Sequence, residues 1–122
     1  MSDAIQVQEI IRGRKSTFVN GLISGGKIRD EVIEEILENA VWAPSHGLVQ
    51  AWEFAVFAES GVETFFREQQ RIYKETCDPD KFNETKFLKY AEKSDKVSHV
   101  IAIIMRRDRK QRFPKQEDLI SV

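Results

Sequence analysis

The densest set of side chains able to hold an anion is Arg12-Gly13-Arg14-Lys15-Ser16. Arginine presents forked donors, lysine a point charge and serine a hydroxyl, so the cluster suits a phosphate. The same residues would also finish a helix, because the dipole favours cations at a helix C-terminus. On composition alone the solvated helix end is the stronger reading. A second set lies in Ala43-Pro44-Ser45-His46-Gly47-Leu48-Val49-Gln50. Pro44 and Gly47 shape an irregular turn, and Ser45, His46 and Gln50 place three hydrogen-bonding side chains on it. Those side chains either face water, as in any connection, or bind a ligand, since binding residues concentrate on loops held by rigid elements.

Three other features carry less. Gly21 to Lys27, GLISGGK, fits G-x-x-x-x-G-K. Ile28 follows where Ser or Thr would hold magnesium, and a helix rather than a strand precedes, so the stretch reads as a flexible connection. Arg106, Arg107, Arg109, Lys110 and Arg112 form a basic run with no aromatic residue interleaved before Phe113. A solvated strand end outweighs nucleic-acid contact there. His99 lies in an apolar segment and reads as a satisfied core or edge histidine. Neither His46 nor His99 has a partner at metal-ligand spacing, and no Ser-His-Asp or Cys-His set assembles. No metal site and no catalytic acid or base is expected.

The elements that would position these residues follow from periodicity. Residues 4 to 12 carry Ile5, Ile10 and Ile11 as a short amphipathic helix leading into the Arg14 cluster. Phe18 to Lys27 holds Gly21, Gly25 and Gly26 and is a loop. Val32, Ile33, Ile36, Leu37, Ala40 and Val41 recur at helical spacing behind Asp30 and Glu31, and Pro44 ends that helix near Trp42. Trp52 to Ala58 and Ser98 to Met105 read as buried strands, with Trp52 and the phenylalanines in the core. Helices are expected at 61–76 and, more weakly, at 80–96, with Asp78-Pro79 between them. Another starts after Pro114. Helices covering a central sheet make an α/β (α+β) layered domain, in which two strands leave the sheet short of a partner.

Composition fixes the broad class. The 122 residues suit one compact domain, and 41% hydrophobic with 32% charged residues is an ordinary globular balance. Twenty acidic against 19 basic residues give no global field for nucleic acid or an anionic membrane. The run Val100 to Met105 is too short to cross a bilayer, and the N-terminus lacks a secretory pattern. Cys77 is the single cysteine, so no disulfide within the chain is possible. A cytoplasmic protein is the plain expectation.

Arg14-Lys15-Ser16, the helix Ile28 to Val41, Ala43-Pro44-Ser45, Gln50-Ala51-Trp52, the strand that follows, and Phe113-Pro114 to Ser121 come in an order that resembles the flavin-dependent nitroreductases. The resemblance implies a nitroreductase-like three-layer α-β-α sandwich over residues 1–122. It implies FMN as cofactor, NAD(P)H as co-substrate, and a nitro compound, quinone or similar small molecule as acceptor. Arg14, Lys15 and Ser16 would meet the phosphate and ribityl end. Ser45 and His46 would contact the flavin of a second subunit, because the family builds its site at a homodimer interface, with Trp42 and Gln50 as weaker contacts. Two residues depart from the pattern: Leu48 stands where many members carry a flavin-binding Asn, and Ala51 where Pro is usual. Family domains also continue through a central helix, further strand and dimer-swapping tail, so the resemblance implies a domain truncated at its C-terminus. The competing expectation is a non-catalytic dimerising module that has lost the flavin.

Overall fold

The computed structural model describes residues 3–18, 21–22, 25–44, 50–107, 109–110, 112 and 114–120. Along the chain these form α1 (Asp3–Gly13), α2 (Asp30–Ala40), β1 (Trp52–Ala58), α3 (Ser60–Thr76), α4 (Glu84–Lys96), β2 (His99–Met105) and α5 (Lys115–Ile120), with a 3-10 turn at Pro79–Lys81. β1 and β2 pair antiparallel, from Trp52 opposite Met105 to Ala58 opposite His99. Helices with a small antiparallel sheet make this an α+β fold.

The core sits where α3 crosses β1. Val62 is 2% exposed, Phe66 is buried, and the rings of Phe57 and Phe65 lie 5.0 Å apart. Residues 62 and 66 are one helical turn apart, so a single stripe of α3 meets the sheet. Each such side chain contributes about 1.5–3 kcal/mol on burial. On the outer face Arg71 bridges Glu68 and Glu75 at 2.8 and 2.6 Å. The Glu68 hydrogen bond, then that of Glu75, raises the guanidinium pKa, but exposed pairs add little stability.

α3 and α4 form a hairpin sealed by aromatic rings. Tyr73 stacks on Phe82 at 5.5 Å, and the Gln70 amide donates to the Phe87 carbonyl at 2.9 Å. The helical pattern expected from Asp80 begins instead at Glu84. Asp78 accepts from the Asp80 N–H at 3.1 Å, and the chain turns over Pro79–Lys81 before Asn83 caps α4 through the Lys86 N–H at 2.9 Å. Local side-chain acceptors here outcompete an early helix start.

Other expectations shift with layering. Val56, Ile103 and Ile104 are exposed, so the two strands are less buried than their apolar content suggested. A strand is covered on both faces only when layers pack on both, and α3 is the helix packed on β1. Phe18 and Phe82 likewise lie outside the core, and α1 has no buried residue.

Candidate functional site

α1 delivers the first candidate residues. It ends at Gly13, and the following residues run without regular structure to Phe18. There the Arg14 guanidinium donates to the Ser16 hydroxyl at 3.5 Å, and both side chains, like that of Lys15, face solvent. Arg14 also borders a shallow, open surface formed with Glu9, Ile10, Ile11 and Gly13. Ile10 and Ile11 are 74% and 68% exposed, so this is an open apolar surface at the helix end and not an enclosed pocket. In donor chemistry, a guanidinium and a hydroxyl beside an apolar surface suit an anionic ester carried on an apolar group.

α2 and β1 flank the second set. At the end of α2 the N–H groups of Val41, Trp42 and Ala43 bond back to Leu37, Asn39 and Ala40 at 3.1–3.2 Å, which holds the helix end in place. The Trp42 indole beyond it is 83% exposed. Ser45 and His46, the central residues expected on this turn, lie outside the described residues, as does Leu48. Gln50 is described. It is exposed, with φ of 48°, a left-handed backbone that costs a non-glycine residue roughly 1 kcal/mol or more. Ala51 next to it is 1% exposed, and its carbonyl accepts from the Arg106 N–H at 2.6 Å. The strained Gln50 thus stands on a fixed base at the start of β1.

Two observations were not legible in sequence. The register places the start of the basic run, Arg106, beside Ala51 rather than at a remote strand end. Nothing in the sequence gave the direction of strand pairing. The lead-in to α2 is also tied to β2. Ser98 accepts from the Ile28 N–H at 2.7 Å, and His99 spans Ser98 and Asp30 at 2.9 Å each. His99 is therefore hydrogen-bonded on both ring nitrogens, which matches its reading as a satisfied histidine.

Gly21, Gly26 and Lys27 line a hollow of about 530 Å³ with Leu22, Lys96 and His99. A phosphate loop needs free backbone N–H groups. Here the Gly25 N–H is spent on the Asp95 carbonyl at 3.0 Å and the Ile28 N–H on Ser98. The connection reading of GLISGGK accords with that geometry. Among the described residues no helix is long and apolar enough to cross a membrane.

Helices on a small antiparallel sheet, with exposed polar and aromatic candidates at the ends of α1, α2 and β1, define an α+β domain. Comparison with family models narrows it: the nitroreductase family model matches residues 24–119, and the chain belongs to that family. Its members are generally flavin-dependent oxidoreductases and typically dimers. The matched span covers Trp42, Ser45, His46 and Gln50 and begins beyond Arg14, Lys15 and Ser16. No curated protein matches the chain.

Proposed function

We propose that the chain binds FMN and acts as an NAD(P)H-dependent oxidoreductase of nitroreductase type on nitro compounds, quinones or similar acceptors. The observation that carries this reading is the family match across the α2–β1 turn and both strands. Arg14, Lys15 and Ser16 would hold the phosphate and ribityl end, and Trp42, Ser45, His46 and Gln50 the ring end. When bound, the flavin supplies the two-electron chemistry, accepting hydride from the nicotinamide and passing it to the acceptor. The chain's own residues bind and orient it, and none is assigned as a catalytic acid or base.

Residues 1–122 would form one nitroreductase-like domain that works as a homodimer with the site at the interface. Ile10, Ile11, Phe18 and Trp42 are exposed apolar side chains close in sequence to the candidate residues. A second subunit covering them would also exclude water from the flavin.

The cation cluster gives a direct test. Arg14→Ala weakens FMN binding by about 1.5–3 kcal/mol if the guanidinium meets the phosphate, the usual range for a charged hydrogen bond. Equal affinity in variant and parent would reduce the cluster to a solvated helix end.

A further inference from the structure

We infer that the exit of β2 is a phosphate-binding edge of this same site, with Arg106 and Arg109 as its donors and the reducing dinucleotide as its ligand. The inference rests on the flavin reading above. β2 ends at Met105, opposite Trp52, and the Arg106 N–H bonds to the carbonyl of Ala51. A basic run therefore starts beside the strand end that carries Gln50. It holds five cations within residues 106–112. Arg106 and Arg109 are exposed, and neither enters the ion pairs found among the described residues. The Arg14 guanidinium, by contrast, donates to Ser16. The chain thus carries two basic segments, whereas FMN has a single phosphate to be met.

The chemistry points to what the second one meets. FMN carries a single phosphate ester, whereas the nicotinamide dinucleotide carries a pyrophosphate and, in its phosphorylated form, a further 2′-phosphate. Arginine forks match such groups with paired hydrogen bonds. The flavin's own phosphate is the other possible source of the same chemistry. Nucleic acid is disfavoured, because the chain as a whole is close to neutral and the run lacks interleaved aromatic residues.

The test titrates the chain with 2′,5′-ADP and, separately, with FMN, in the parent, the double variant Arg106→Gln/Arg109→Gln and the double variant Arg106→Lys/Arg109→Lys. Circular dichroism checks that each is folded. Affinity for 2′,5′-ADP falls about tenfold or more in the Gln variant and returns in part with Lys, while FMN affinity is unchanged. A fall for FMN instead overturns the dinucleotide assignment and gives these arginines to the flavin phosphate. Unchanged affinities for both probes, or a parent that binds neither, overturns the edge. A parent that binds 2′,5′-ADP through these arginines but never FMN retains the edge and defeats the flavin reading.

Discussion

His99 Nε2 lies 2.9 Å from Asp30 Oδ1, joining β2 to the first turn of α2 across 69 residues of chain. The carboxylate sets its polarity. It can only accept, so Nε2–H of the neutral ring donates to Asp30 and Nδ1 is left to accept from the Ser98 hydroxyl, whose oxygen accepts from the Ile28 N–H. α2 leads directly to Trp42 and the candidate turn, so this chain of hydrogen bonds helps set where that turn begins.

The two ends of the relay are unequal in burial. Ser98 is buried, whereas the Asp30 side chain is 80% exposed. Ser98→Ala leaves the Ile28 N–H without its partner and is expected to cost about 1–3 kcal/mol. Asp30→Asn is expected to cost about 1 kcal/mol or less, because water can replace an exposed partner. Urea unfolding of both variants measures the ordering, and a costlier Asp30→Asn would contradict it.

The same arrangement predicts a tautomer. Nitrogen-15 NMR should find the neutral His99 imidazole as the tautomer with its proton on Nε2 and none on Nδ1. A protonated Nδ1 would mean that Ser98 is not the donor.

Backbone strain gives a third prediction. Glu59 joins β1 to α3 with φ of 52° and ψ of −125°, and Gln50 precedes β1 with φ of 48°. Glycine adopts positive φ without the side-chain penalty. Glu59→Gly should therefore raise stability by about 1 kcal/mol with no change in ligand binding. Gln50→Gly should also stabilise, but should weaken FMN binding, because the strained residue is a proposed flavin contact. Thermal unfolding and FMN titration of the pair separate these roles. Destabilisation by Glu59→Gly would show that its side chain outweighs the strain.

Core packing gives the largest expected loss. Phe66 is buried where α3 meets β1, next to Phe65 with ring centroids 5.3 Å apart. Phe66→Ala should cost about 3–5 kcal/mol. That is a large share of the stability of a domain this size. Retained cooperative unfolding at near-parent stability would place the core elsewhere.

Local pattern was the legible part of this chain. Trp52 to Ala58 reads as a strand from its own residues and is one, and α3 differs from the reading by a single residue at its start. Signals internal to a segment survive folding when its neighbours agree with them. The start of α4 was misread because Asp78 and Asn83 supply acceptors that periodicity ignores. Strand direction, and with it the approach of Arg106 to Ala51, depends on pairing between segments about 50 residues apart in sequence, for which no local residue is diagnostic. The candidate site divides in the same way. Arg14 and Ser16 meet within one short segment, as their spacing allowed. Gln50, with its left-handed backbone, adjoins Ala51, whose carbonyl is held by the Arg106 N–H after β2. Ser45 and His46, which the resemblance made central, lie outside the described residues.

The most direct test of the central claim is to incubate the purified chain with FMN, remove free cofactor by gel filtration and record the visible spectrum of the protein peak. A flavin band travelling with the protein, and diminished in Arg14→Ala, is the expected result. A colourless protein peak after incubation with FMN would contradict the proposal that this chain is a flavin-dependent oxidoreductase.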